Sequence, residues 1–241
     1  MTTVRVMDVG LSRGAFTLGP VTTTFDVGVT ALLGANGAGK TTLMQIVVGI
    51  LVPRRGSVHV VDGGSAGVGY LPQDFEGPAR VRVGDYLRFV GWCRSRRGRR
   101  IGADDVGRVL GRVGLGGHEA TPFGELSGGM VRRVGIAQAL LGGAEVVVLD
   151  EPTVGLDPIQ RREIRDLLTE LGADTVVLVS THLSEDVAAV ADRVLVLDMG
   201  RVTYADDVAG LVRLGGGGTV DGRSVELGFL SCIGGAAGRT A

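Results

Sequence analysis

Only two cysteines occur in the 241 residues, Cys93 and Cys232. They lie far apart and share no metal-ligand spacing, so neither a zinc site nor a disulfide framework is indicated, and reduced thiols in a cytosolic protein are the default expectation. A surplus of charge is also missing. With 25 Lys and Arg against 26 Asp and Glu the formal net charge is −1, which removes the electrostatic reason to expect binding to nucleic acid or to an anionic bilayer. No stretch approaches ~18 uninterrupted apolar residues, and the start MTTVRVMDVG shows no charged segment followed by an apolar signal core. The expectation is a chain that stays in the cytoplasm and does not span a membrane. What is plentiful is glycine, 42 residues of it, which points to many tight turns. The hydrophobic share of 44% and charged share of 21% are those of a soluble globular protein, long enough for one large α/β domain with a smaller lobe.

Along the chain, Val4–Val9 and Val21–Val29 are rich in β-branched residues and are separated by Gly14, Gly19 and Pro20, which predicts short antiparallel strands. Val29–Leu33 then runs into a glycine loop. The following TTLMQIVVGIL has helical spacing and is expected to end before Pro53 and Gly56, ahead of a strand near Ser57–Val61. Residues from about 77 to 129 are arginine-rich, with RSRRGRR at Arg94–Arg100 and helical patches at Val83–Trp92 and Asp104–Val113, and read as an inserted helical lobe. After a helical stretch from Val131 come apolar strands at Val146–Asp150, Thr175–Ser180 and Arg193–Asp198, alternating with helices at Pro158–Leu171 and Ser184–Ala191. That alternation describes a parallel sheet covered on both faces. The run Gly215–Gly218 reads as a flexible linker, giving a division into 1–211 and a 212–241 segment with no assigned structure.

Three constellations carry chemistry. Gly34-Ala35-Asn36-Gly37-Ala38-Gly39-Lys40-Thr41-Thr42 fits G-x-x-x-x-G-K-[ST] at every fixed position, between a predicted strand and a predicted helix. The backbone must curl with its N–H groups inward around phosphates, Lys40 reaches the terminal phosphates, Thr41 supplies a Mg²⁺ ligand, and the helix start adds partial positive charge. VVVLDEP places Asp150 and Glu151 at the carboxyl end of a buried strand, where open α/β sheets collect ligands. Asp150 can hold Mg²⁺ while Glu151 polarises a water for attack on the terminal phosphate; the alternative is a strand-end turn before Pro152. Leu126-Ser127-Gly128-Gly129-Met130 opens a helix that Ser127 can cap, with both glycines leaving N–H groups open to an anion.

In this company the chain resembles the ATP-binding-cassette family. LSGGM matches the family signature LSGGQ in four of five positions, and the motifs stand in family order over about residues 4–205. The resemblance implies a P-loop NTPase core with a mainly parallel sheet, an amino-terminal antiparallel β subdomain and an inserted helical subdomain. It implies ATP and Mg²⁺ as ligands. Gln73 in GYLPQ matches the glutamine loop, which contacts Mg²⁺ and signals to the helical lobe; Asp157 in GLDP matches the loop that lies across the dimer interface; His182 in STHL matches the switch histidine that contacts the terminal phosphate. Two departures stand out. Met130 replaces the signature glutamine, and no aromatic for stacking on adenine is evident beyond Phe16, which suits a core role equally well.

Family members hold two ATP molecules between two head-to-tail copies, each loop facing the partner's Ser127–Gly129 equivalent. With a single set of motifs, this chain is expected to form a homodimer or a heterodimer with a related ATPase subunit and to drive a separately encoded integral-membrane permease. It would then sit peripherally on the inner face of the cell membrane, with no nucleic-acid partner. Tyr86, Leu87, Phe89 and Trp92 either form an apolar groove for that partner or the lobe's own core. The absence of a substantial regulatory domain favours an exporter of a hydrophobic compound or peptide. The competing reading is a non-transport member of the superfamily acting on nucleic acid, ribosomes or cofactor assembly, disfavoured by the lack of a second cassette, of coiled-coil heptads and of zinc-ligand cysteines. A regulatory module without turnover is disfavoured by the joint presence of Lys40, Glu151 and His182.

Overall fold

The computed structural model describes residues 1–61, 67–95 and 101–234. Its amino-terminal part is a three-stranded sheet. Strand β1 (Thr3–Arg13) pairs antiparallel with β2 (Phe16–Phe25), in a register from Val4 opposite Phe25 to Arg13 opposite Phe16. Alternation along β1 buries Val4, Val6, Val9 and Leu11, which gives the sheet one apolar face. The predicted segment Val21–Val29 is divided: β2 stops at Phe25, and β3 (Gly28–Leu33) belongs to a second sheet. Helix α1 (Lys40–Val47) is shorter than its apolar pattern suggests, because Gly49 at φ 78° turns the chain and Ile50 N–H reaches back to Gln45 O at 2.8 Å. Strand β4 (Arg55–Val61) then completes the first sheet on the other side of β1.

The second sheet positions the site. It comprises β5 (Gly67–Leu71), β6 (Ala144–Asp150), β7 (Val176–Thr181), β3, β8 (Arg193–Asp198) and β9 (Arg201–Asp207), in the order β5-β6-β7-β3-β8-β9. All neighbours are parallel except the pair β8 and β9, so sequence reasoning identified the parallel centre but missed both edge strands, β5 and β9. Val146–Leu149 and Val176–Val179 are buried, as strands covered on both faces must be. Covering them are α4 (Gly128–Leu140), α5 (Pro158–Gly172) and α6 (Ser184–Val190) on one side and α1 with the amino-terminal sheet on the other.

Between β5 and α4 the chain builds the helical lobe from α2 (Val83–Arg94), α3 (Ala103–Arg112) and a single 3₁₀ turn at Phe123–Glu125. Of the four candidate groove residues, Leu87 is fully buried, and Tyr86 stacks edge-on to Phe123 with ring centres 5.1 Å apart and bonds Gln138; both belong to the lobe's own core. Phe89 and Trp92 remain exposed, stacked on each other at 6.3 Å. Arg94 donates to Gln138 O at 2.6 Å, while residues 96–100 of the arginine run lie outside the described residues.

The carboxyl-terminal segment departs from the expected loose linker. Helix α7 (Val208–Leu214) runs unbroken across position 211, and α8 (Gly222–Gly234) folds back against α6 and α7 with Val225 buried. Residues 215–217 form a tight turn, where a side chain on Gly215 would come within 2.4 Å of Gly228 N. Among the described residues no helix is long and apolar enough to cross a membrane.

Candidate functional site

The loop from Gly34 to Gly39 joins the carboxyl end of β3 to the first turn of α1. Gly39 holds φ 107°, and a Cβ there would meet the Phe16 ring at 2.9 Å, so glycine is required both by backbone angle and by the neighbouring sheet. Beside the loop opens a cavity of about 750 Å³. Asn36, Gly37, Gly39, Lys40, Thr41, Thr42, Gln73, Glu151 and His182 line it, joined by Phe16 and Val154. Gly34 and Ala38 are buried beneath the loop. Phe16 thus occupies both positions left open for it: its ring touches the cavity and packs against the amino-terminal core.

The expected residues at the two helix starts stand apart from this cavity. Ser127 caps α4 by accepting from Met130 N–H at 3.2 Å, and Ser127 and Gly128 are exposed. Asp157 caps α5 by accepting from Gln160 N–H at 2.8 Å. Neither helix start lines the cavity that Lys40 lines.

Lys40 is buried, and its ammonium donates to Gly34 O at 2.7 Å and Ala35 O at 3.2 Å while lying 3.8 Å from the Glu151 carboxylate. Burial lowers its pKa, against the raising pull of Glu151 and Asp150. His182, directly after β7, places Nδ1 3.0 Å from the other oxygen of Glu151; its side chain is 45% exposed against 6% for the glutamate. The Glu151 backbone is left-handed, φ 49°, a conformation that a non-glycine residue keeps only when its surroundings impose it. They do: its N–H donates to Ser180 Oγ at 2.8 Å and its carbonyl accepts from the Arg132 guanidinium at 2.8 Å.

Ser180 also donates to one oxygen of Asp150, whereas the other, Oδ2, is buried without a hydrogen-bond partner among the described residues. An orphaned carboxylate oxygen beside a phosphate-shaped loop fits a hard divalent cation, which takes oxygen ligands and shares them with phosphates. Burial and then the charge of Asp150 push the nearby Tyr70 hydroxyl up to about 12, so it stays protonated.

Two buried charges escaped sequence reasoning. Arg132 is one. Asp186 is the other: it accepts from Thr153 Oγ1, from Thr181 Oγ1 at 3.4 Å and from Arg165 Nε at 2.7 Å, so one carboxylate braces the segment after β6, the end of β7 and helix α5. The only signal for either was a charged residue within an otherwise apolar helix face.

Comparison with known proteins identifies the family. The family model described as ABC transporter matches residues 21–154. A Bacillus subtilis (strain 168) protein, "Uncharacterized ABC transporter ATP-binding protein YxlF", is 37% identical over 183 residues, covering 74% of this chain and 61% of that protein. "Probable multidrug ABC transporter ATP-binding protein YbhF" from Escherichia coli (strain K12) is 36% identical over 205 residues, covering 81% of this chain and 34% of its own length. The chain therefore spans about a third to three fifths of these relatives. Among solved structures, one described as the ATP binding subunit of an ABC transporter superposes with a TM-score of 0.76 at 25% identity, over 93% of this chain and 98% of that one. With a phosphate loop, a strand-end Asp-Glu pair and a histidine gathered on one parallel sheet, and with the family model matching more than half of its length, the chain belongs to the ABC transporter family, whose nucleotide-binding P-loop domain it carries.

Proposed function

We propose that the chain binds and hydrolyses ATP with Mg²⁺ and thereby powers transport, in the export direction, through an integral-membrane permease encoded separately. One observation carries the reading: the Glu151 carboxylate stands between Lys40, at 3.8 Å, and His182, at 3.0 Å, at the edge of a cavity lined by the glycine loop. A base so fixed can take a proton from a water as that water attacks the terminal phosphorus and the bond to the departing ADP oxygen breaks. Lys40 and the loop N–H groups hold the phosphate oxygens, and His182 orients the terminal phosphate together with Glu151. Thr41, Gln73 and Asp150 would hold the Mg²⁺, which neutralises charge on the phosphates when bound.

Ser127, Gly128, Gly129 and Asp157 lie on helix starts away from that cavity, which supports a role toward a nucleotide held by another chain. The chain then works as a homodimer or with a related ATPase subunit, on the cytoplasmic face of the membrane, with the lobe at about 77–129 turned toward the permease. Similarity to a protein named for multidrug transport favours a hydrophobic cargo.

Replacing Glu151 by glutamine keeps size and removes charge. Hydrolysis should fall by about 10²–10⁴-fold while ATP binding persists, since the loop and Lys40 are untouched. Unhydrolysed ATP should then hold two chains together, seen as a shift from monomer to dimer by size-exclusion chromatography with light scattering. A variant that hydrolyses at the parental rate removes the base assignment. One that is inactive, ATP-bound and monomeric removes the shared site.

A further inference from the structure

Arg132 sits two residues beyond Met130 in α4 and is buried, 8% exposed, yet its guanidinium pairs with no carboxylate among the described residues. All three of its hydrogen bonds go to main-chain carbonyls. One nitrogen donates to Gln73 O at 2.8 Å and Pro72 O at 3.3 Å, and the other to Glu151 O at 2.8 Å. Burying a cation is costly: desolvation lowers the Arg132 pKa, and the nearby charges of Asp150, Asp74 and Glu151 offset that only in part, with no direct ion pair among the described residues. The planar fork, with its donors in fixed directions, thus sets a distance between two loops and the helix it comes from.

What it sets is the base. The Glu151 peptide is clamped on both sides, its N–H by Ser180 and its carbonyl by Arg132, in a left-handed conformation that places the side chain between Lys40 and His182. Without the guanidinium the carbonyl keeps only the long bond from Val154 N–H, at 3.4 Å, and the residue can relax toward commoner backbone angles that swing the carboxylate away.

We propose that Arg132 is the positioning residue for Glu151, and that through it the helix beginning at Ser127–Gly129 and the loop carrying Gln73 are held in register with the catalytic base. Movement of α4 when its start engages a nucleotide would then displace Gln73 and Glu151 together. This rests on Glu151 acting as the base, and the experiment separates the two statements.

Arg132→Met, Arg132→Lys and Glu151→Gln, with the double variants, are compared by kcat and KM for ATP, by single-turnover hydrolysis, by titration with a fluorescent nucleotide and by thermal unfolding. The expected result is a kcat lowered on the order of 10–100-fold in Arg132→Met, the size that a displacement of about 1 Å at a reacting group produces. Nucleotide affinity and KM should stay unchanged, and Arg132→Lys, which keeps the charge but not the fork, should fall between. In the Glu151→Gln background the loss of Arg132 should add nothing, because both changes remove the same contribution. The proposal is overturned if the two effects multiply, if kcat is unaltered, or if affinity falls in step with kcat in protein that is still folded. Should Arg132→Met fail to fold, the lysine variant decides alone by the same kcat, affinity and background criteria. Parental turnover in Glu151→Gln removes the base reading and this one with it.

Discussion

Around Glu151 the chain is ordered by polar side chains that reach main-chain atoms: Ser180 and Arg132 on its peptide, Lys40 on the carbonyls of Gly34 and Ala35. At the carboxyl terminus, α7 and α8 are ordered by apolar surfaces in close approach. A Cβ on Gly228 would lie 2.2 Å from Leu211 O, and Leu211, Val212 and Val225 fill the gap between the helices. The first arrangement fixes where a charge points and leaves Glu151 strained and Asp150 half-satisfied. Among the described residues of the second, the one left-handed backbone is a glycine's, at Gly216, and no buried side-chain polar atom lacks a partner. A protein has use for both, since a corner that keeps unsatisfied groups must be carried by surroundings that have none to spare.

Substitutions that act on one region and spare the other sharpen this contrast. The largest effect is expected from Leu211→Ala, which empties a fully buried position between α7 and α8 and should cost about 2–5 kcal/mol of stability. ATP turnover per folded molecule should be unaltered. Urea unfolding alongside phosphate release measures both, and a turnover that falls with stability breaks the separation.

Lys40→Ala acts in the other region. A charge-assisted contact to phosphate is worth roughly 1.5–3 kcal/mol, so nucleotide affinity should drop at least several-fold. Unfolding should change far less, because Lys40 is itself a buried cation whose removal relieves desolvation. Fluorescent-nucleotide titration with Mg²⁺ checks it, and an unchanged affinity would assign Lys40 to catalysis alone.

The smallest effect belongs to Met130→Gln. Met130 packs partly against the core next to the Ser127 cap and lies outside the cavity lined by Lys40. Turnover should stay within about tenfold of the parent, roughly 1.4 kcal/mol in barrier terms. Steady-state phosphate release decides, and a hundredfold change would place position 130 in the chemistry.

Much of the polar corner was legible because its constraints are local. A loop that must turn at Gly39 and a helix that must begin at Lys40 leave a spacing in the sequence itself, as does a strand of valines ending in Asp150 and Glu151. Arg132 and Asp186 were not legible, since a charged residue in a helix ordinarily faces water and only the fold reveals what surrounds it. The carboxyl-terminal helices were hidden for a related reason. Gly222, Gly228 and Gly234 disfavour a helix by propensity and the segment had no assigned structure, yet Gly228 is what lets α8 approach α7, so tertiary packing overrides propensity there. Edge strand β9, with residues alternating only between half-buried and exposed, lacks the apolar run that marked β6 to β8.

The brace at Asp186 carries a consequence on an evolutionary scale. Thr153, Thr181 and Arg165 reach a single carboxylate from three segments of chain. Loss of any one donor leaves a buried acceptor short, and loss of the acceptor strands a buried arginine. Descendants of this chain should therefore inherit the four positions as a block: where a lineage has exchanged Asp186 for an uncharged residue, Arg165 should have been exchanged with it, while the exposed positions of the same helices drift independently.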